Sequence, residues 1–248
     1  MKLNISAASS VGCVRENNED MILVSGAFVR DGQYHAVIDT EQRDRLILAL
    51  CDGMGGHNAG EVASSQTLHN LQYFFGDMPA RMSAEQLVEM MKQWLDSISS
   101  IINSRGLADP TMAKMGTTLV ALAYYAGHYL WFNCGDSRLY LLKEQQLTQL
   151  TRDHSLSNML GYKQHSNVIV NCIGGGEQHA YFDTQEITDQ VTPGSTLLLC
   201  SDGLTDEISD DKIADMLMTG ANADDLCQAA CQAGGIDNVS CCLIRVEQ

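Results

Sequence analysis

Basic residues are scarce in this chain. Lys and Arg total 15 against 31 Asp and Glu, a formal charge of −16 over 248 residues. So acidic a surface repels a phosphate backbone, which argues against nucleic acid as a partner. Proline is nearly absent, with three residues, and no linker, low-complexity run or repeat interrupts the sequence. One domain over residues 1–248 is therefore expected. Long hydrophobic runs are missing too. No stretch approaches the roughly 20 apolar residues of a membrane span, and the opening MKLNISAASSVGC lacks the apolar centre of a signal peptide. These absences favour a cytoplasmic protein whose nine cysteines are reduced thiols. Cys51, Cys134 and Cys200 sit inside apolar runs, where a thiol packs as a small hydrophobe. Cys227 and Cys231, four apart on a predicted helix, and the adjacent Cys241 and Cys242 do not follow zinc-knuckle spacing.

Apolar residues make up 45% of the chain, enough for a sizeable core. Strand-like runs recur at Lys2–Ser9, Met21–Ser25, Leu46–Leu50, Thr117–Tyr125, Tyr129–Cys134, Leu139–Lys143, Val168–Cys172, Tyr181–Ile187, Thr196–Cys200 and Val239–Val246. Gly127-His128 between two of them suits a hairpin. Helical patterns cover Ala59–Phe75, Ala84–Asn103, Asp210–Met218 and Ala223–Ala233, with Ser83 and Ser209 as N-caps. The apolar stripe of the second helix (Met90, Met91, Trp94, Leu95, Ile98, Ile101, Ile102) reads as core-facing. The helices fall in two blocks between groups of strands. That arrangement favours an α+β sandwich of antiparallel sheets over a doubly wound parallel sheet.

The chemistry lies in the loops. Acidic clusters stand at the edges of apolar strands: RENNED (Arg15–Asp20), CDGMGGH (Cys51–His57), SDGLTDE (Ser201–Glu207) and GIDNVS (Gly235–Ser240), with CGDSR (Cys134–Arg138) similar. The glycine-rich stretch after Asp52 could be a phosphate cradle, a metal site or a tight connection. A P-loop would end in Gly-Lys-Ser/Thr, and no lysine follows; Gly-x-Gly-x-x-Gly would need glycine at Asn58. Asp-Gly is also a common turn dipeptide. Repetition at four strand edges favours metal, because carboxylates on stiff strand ends can converge on Mg²⁺ or Mn²⁺, which prefer oxygen ligands. Gly53 leaves room for a cation to reach the main-chain carbonyl. Such cations would also cancel the chain's repulsion of a phosphate substrate.

These blocks, together with GTTLVALAYY, TRDHS and LLLCSDGLTDEIS, occur in an order that resembles the metal-dependent protein phosphatase family, the type 2C serine/threonine phosphatases, from about Ser9 to Val246. The DGMGGH form is similar to stand-alone bacterial members. The resemblance implies a four-layer αββα sandwich, two antiparallel sheets flanked by helices. It implies two Mn²⁺ or Mg²⁺ ions, with room for a third, that activate water for in-line attack on phosphorus. It assigns Asp52 as the bridging ligand, Gly53 as a carbonyl ligand, and Asp202 and Asp237 to the first metal. Asp20 takes the second-metal position of bacterial members, and Glu19 the one used in animal members, so one of the two acts through water. Asp136 matches a third-metal or water-holding aspartate, and Arg15 the phosphate-binding arginine, a role that suits a guanidinium fork. His57 stands either as general acid, which its ordinary pKa of about 6.5 allows, or as a structural loop histidine; His154 reads as structural.

One departure concerns the segment after TRDHS. It is short for the family's helical flap and leaves Met159, Tyr162, Lys163 and His165 to face a substrate. Substrate choice and third-metal binding are the properties this touches. The expected partners are phosphoserine and phosphothreonine proteins and a cognate bacterial Ser/Thr kinase, with the phosphatase acting as a monomer. The alternatives are a non-catalytic phosphoprotein-binding module on the same fold and a phosphatase for small phosphomonoesters.

Overall fold

A computed structural model describes residues 1–55, 59–161, 168–176 and 179–248. In chain order, β1 (Lys2–Ser10), β2 (Met21–Val24), β3 (Ala27–Val29), β4 (Gly32–Asp39), β5 (Arg45–Cys51) and the short β6 (Gly53–Met54) precede two helices, α1 (Ala59–Asp77) and α2 (Ala84–Ala108). Then come β7 (Gly116–Thr117), β8 (Leu119–Tyr125), β9 (His128–Cys134), β10 (Arg138–Lys143), β11 (Gln146–Gln149) and α3 (Leu156–Leu160). β12 (Ile173–Gly174), β13 (Asp183–Glu186) and β14 (Thr196–Cys200) lead to α4 (Asp202–Thr205), α5 (Asp210–Met218), α6 (Ala223–Ala233) and β15 (Val239–Glu247).

Two six-stranded sheets form, ordered β11-β10-β14-β15-β1-β4 and β13-β9-β8-β5-β2-β3. Every pairing within them is antiparallel. The inner faces meet through Leu3, Ile5, Ile22, Leu48, Leu50, Leu122, Leu197 and Ile244. Helices α1 and α2 cover the second sheet through Leu68, Leu71, Met91, Trp94 and Ile98. Ile213, Leu217, Leu226 and Ala230 of α5 and α6 cover the first. The expected αββα sandwich is the observed architecture. It explains why β5 is continuously apolar, since an inner strand of four layers is buried on both faces.

Local signals agree with the packing. Ser83 and Gln86 close a capping box on α2, and the helix turns Leu87, Met91, Trp94, Leu95, Ile98 and Ile102 inward; each such burial stabilises by about 1.5–3 kcal/mol. Ala126 and Gly127, both at positive φ, make the β8–β9 hairpin turn. One expected strand is absent. Val168–Cys172 makes only an isolated bridge between Ser155 and Ile169. Its backbone bonds go to the 154–156 loop, and the Asn171 side chain holds the Tyr181 backbone, so no ladder extends. Among the described residues no helix is long and apolar enough to cross a membrane.

Candidate functional site

Strand register assembles the site at one end of the sandwich. Met21 pairs with Cys51, so Asp20 and Asp52 lie one step beyond the ends of neighbouring strands. Arg138 pairs with Cys200, so Asp136 and Asp202 each stand two residues outside that pair. The Cys134–Arg138 turn also carries the chain from one sheet to the other, β9 to β10. Asp237 precedes β15 on the strand beside β14.

Asp52 is held by its backbone. Its N–H donates to Thr118 Oγ1 at 3.0 Å, and its carbonyl accepts from Thr117 Oγ1 at 2.8 Å and from the Thr118 N–H at 2.8 Å. A Cβ on Gly53 would lie 2.2 Å from the Gly60 carbonyl oxygen, so the chain passes α1 only because this residue has no side chain. Asp20 is fully buried. Its Oδ2 accepts from the Ser201 hydroxyl at 2.8 Å, and its carbonyl accepts from Arg30 Nε at 2.8 Å. Ser240 joins Ser201 in this support, since the Ser240 N–H donates to Ser201 Oγ at 3.0 Å.

Burial pushes the Asp20 carboxyl up to about 8, with the charges of Asp202 and Asp237 adding to the effect. Burial and then Asp202 push Asp136 up to about 8. Asp202 rises to about 6 through burial and the Asp206 charge. Burial, followed by the charges of Asp20 and Asp202, raises Asp52 well above the carboxylate range. These four carboxyls therefore feel one another across both sheets.

Glu19 sits differently. Burial raises it, but the Gly60 N–H at the start of α1 bonds it, and its charged neighbours are Arg15, Asp237 and Glu61 rather than Asp52. Asp20, not Glu19, faces the shared seam. Asp237 is committed elsewhere: its Oδ2 accepts from Arg15 Nη2 at 2.7 Å, and its Oδ1 accepts from the Asn238 N–H at 2.8 Å. That ion pair lies at the rim, with the Arg15 side chain 53% exposed.

Whether the residues suit hard cations is testable on the oxygens. Buried polar atoms are almost always hydrogen-bonded, and an unpaired buried carboxylate is costly. Yet Glu19 Oε1, Asp20 Oδ1, Asp136 Oδ1 and Asp202 Oδ1 are all buried without a donor. An all-oxygen set with spare lone pairs fits Mg²⁺ or Mn²⁺ and does not fit a thiolate metal. Among the described residues no three acidic, histidine or cysteine side chains close into a ready cage. The carboxyls stand along a seam, with Asp237 turned to Arg15, so a cation would have to draw them in.

His154 is 5% exposed and fully bonded. Its Nδ1 accepts from the Gly135 N–H at 3.1 Å and from Asn171 Nδ2 at 2.7 Å, which leaves Nε2 to donate to Asp183 at 3.1 Å. His57, Tyr162, Lys163 and His165 lie outside the described residues. Sequence reasoning overlooked the polar residues that brace the loops. Asn238 ties three segments: its Nδ2 donates to the Val11 and Asn17 carbonyls, and its Oδ1 accepts from the Glu19 N–H. Its place directly after Asp237 was the available signal.

Known proteins share the sequence pattern and the fold. The family profile described as "Protein phosphatase 2C" matches residues 23–233. The chain belongs to the protein phosphatase 2C family. It is 31% identical to "Serine/threonine protein phosphatase PstP" of Mycobacterium tuberculosis, over 96% of this chain but 44% of that protein. The chain thus spans less than half the length of that relative. It is also 31% identical to "Serine/threonine phosphatase stp" of Listeria welshimeri, over 94% of this chain and 92% of that one. The solved catalytic domain of PstP in complex with two manganese ions superposes with a TM-score of 0.76 at 31% identity, over 99% of this chain and all of that one.

Proposed function

We propose that this protein is a bacterial, cytoplasmic, metal-dependent phosphoprotein phosphatase that hydrolyses phosphoserine and phosphothreonine and reverses a Ser/Thr kinase. We read residues 1–248 as one catalytic domain that acts as a monomer. The observation that carries this reading is the set of buried, donor-less carboxylate oxygens on Asp20, Asp136 and Asp202. They are gathered around Asp52 by strand register in a chain of this family. The manganese in PstP and the named activities of the relatives support it.

In this reading Asp52, Gly53, Asp202 and Asp237 would hold one Mn²⁺ or Mg²⁺, Asp52 and Asp20 would hold the second, and Asp136 would hold water or a third. When bound, the cations supply Lewis-acid activation of a water and screen the phosphate charge. The rest is work for the chain itself. Ser201 fixes the Asp20 rotamer through its hydroxyl. Thr117 and Thr118 fix the backbone at Asp52. Glu19, bonded at the start of α1, acts through water. Arg15, now on Asp237, has the exposure and reach to leave it and present two parallel N–H groups to phosphate oxygens. His154 keeps the Cys134–Arg138 turn in place by accepting from Gly135, a structural task. His57 remains our candidate for protonating the leaving alkoxide.

The test is phosphate release from a phosphothreonine peptide with Mn²⁺, with Mg²⁺ and with chelator, beside Asp52→Asn. Release that requires metal and is lost in the variant is expected. A folded protein inactive with either metal would refute the reading and favour a binding module. Release from small phosphomonoesters but not from phosphopeptides would refute the substrate assignment.

A further inference from the structure

Two cysteines stand apart from the rest. Seven of the nine are buried, whereas Cys13 is exposed and Cys231 is partly so. They are 218 positions apart in sequence, yet the Cys13 thiol donates to the Cys231 carbonyl at 3.5 Å. The Cys231 thiol lies 3.8 Å from the Ser10 hydroxyl, near enough to Cys13 for that thiol to raise its pKa. The backbone enforces the approach: the Cys13 N–H donates to the Gly235 carbonyl at 2.7 Å. The point where a Gly235 Cβ would sit is 2.8 Å from Cys13 Sγ and 3.0 Å from Cys231 Cα. Gly235 is at φ +57°, a conformation that leaves the space to sulfur. Both cysteines therefore pack against the same glycine, and a disulfide would have to bring their Cα atoms to about 4.4–6.8 Å.

The location matters as much as the distance. Cys13 is two residues before Arg15. Gly12 packs on the loop carrying Asp237, where a Cβ would come within 2.2 Å of the Asp237 carbonyl oxygen. Cys231 is on α6, which is fixed to the sheet through Leu226, Cys227 and Ala230. A bond between the two sulfurs would fasten the Arg15 loop to a rigid helix.

We propose that Cys13 and Cys231 form a reversible, peroxide-driven disulfide that immobilises the Arg15 loop and slows turnover. Only the turnover readout rests on the phosphatase reading. The exposed Cys13 thiolate attacks hydrogen peroxide, giving a sulfenic acid and hydroxide, which takes up a proton to become water. Cys231 then attacks that sulfur, forms the S–S bond, and releases a second water. Two thiols are oxidised and one peroxide is reduced to two waters; a thiol reductant reverses the step by exchange. Burial raises the Cys231 thiol, consistent with its being the resolving rather than the attacking sulfur.

The test treats the full chain with hydrogen peroxide, removes the oxidant, and compares wild type with Cys13→Ser and Cys231→Ser. Peptide mapping without reductant should recover a peptide joined at Cys13 and Cys231. Amide exchange over residues 11–17 should slow at least threefold, and metal-dependent phosphate release should fall at least threefold, both restored by dithiothreitol. Neither serine variant should show these changes, and both should match the reduced wild type. Overoxidation of Cys13 or a bridge between two chains in place of the joined peptide would overturn the proposal. So would a joined peptide with unchanged exchange, or an equal loss of release in Cys231→Ser. A reduced protein with no phosphatase activity would refute the proposed function, while the peptide and exchange measurements would still decide the disulfide.

Discussion

Asp20→Asn should stabilise the protein without metal and lose that advantage with metal. Asp20 is fully buried, one oxygen is unpaired, and its pKa is pushed from 3.8 to about 8. An acid with a raised folded pKa contributes its stability fully below its unfolded value. That contribution is lost as pH rises toward the folded value, because the unfolded chain sheds its proton first. The window here runs from about 4 to about 8. Each pKa unit corresponds to about 1.4 kcal/mol, so at pH 8 the Asp20 charge opposes folding of metal-free protein by up to about 5 kcal/mol. An amide keeps the Ser201 bond on its oxygen and carries no charge. Recovery of about 2–3 kcal/mol would raise the melting temperature by about 5–10 °C in a chain of this size. The gain should shrink below pH 5. In Mn²⁺ that advantage should vanish, since a ligand at 100 times its Kd stabilises the wild type by about 2.7 kcal/mol and the variant loses a ligand. Calorimetry of chelated and Mn²⁺-loaded protein at pH 5, 7 and 8 checks this. An unchanged or lower melting temperature for chelated variant at pH 8, or an undiminished Mn²⁺ shift, would refute the reasoning.

Other expectations follow from the same coordinates. Because several carboxyls at the seam hold protons near neutral pH, Mn²⁺ must displace them; affinity should rise from pH 6 to pH 8, with proton release seen by titration calorimetry in buffers of different ionisation enthalpy. Arg15→Ala should raise the phosphopeptide KM at least tenfold, the loss of its paired charge-assisted bonds to phosphate, while Mn²⁺ affinity does not fall, because Asp237 is released. Gly203→Ala places a Cβ 2.1 Å from the Asn238 carbonyl oxygen; it should cut kcat/KM at least tenfold by about the cost of a displaced ligand loop, with circular dichroism unchanged. Asp153→Ala removes the carboxylate that Arg138 grips at 2.7 Å while leaving its bond to the Tyr140 hydroxyl, and should lower stability by about 1–3 kcal/mol in denaturant unfolding.

The strands that apolar runs reveal are the inner ones. LILALC and TLLLC are buried on both faces and could be little else. The edge strands β4 and β11 were not legible, because GQYHAVID and QLTQ face solvent and carry polar residues that a loop would also carry. Val168–Cys172 misled in the opposite sense: it is apolar, but its backbone partners are the 154–156 loop and a side chain. For the site, aspartates at strand ends were visible because glycine and apolar neighbours frame them. What spacing could not show is which of two adjacent acids turns inward, since a strand end alternates faces; only register puts Asp20 beside Asp52 and Glu19 beside Gly60. The Arg15–Asp237 pairing joins residues 222 apart and has no local signature.

The place of β15 has one more consequence. This strand lies between β14 and β1, and its register with β1 runs from Lys2 against Glu247 to Ser10 against Val239. A polypeptide clipped ahead of Val239 would keep most of its hydrophobic residues and yet hold a split sheet with two open inner edges. Fragments of this protein should therefore be silent and prone to self-association rather than partly active, which makes competence for turnover a report on the integrity of the whole polypeptide.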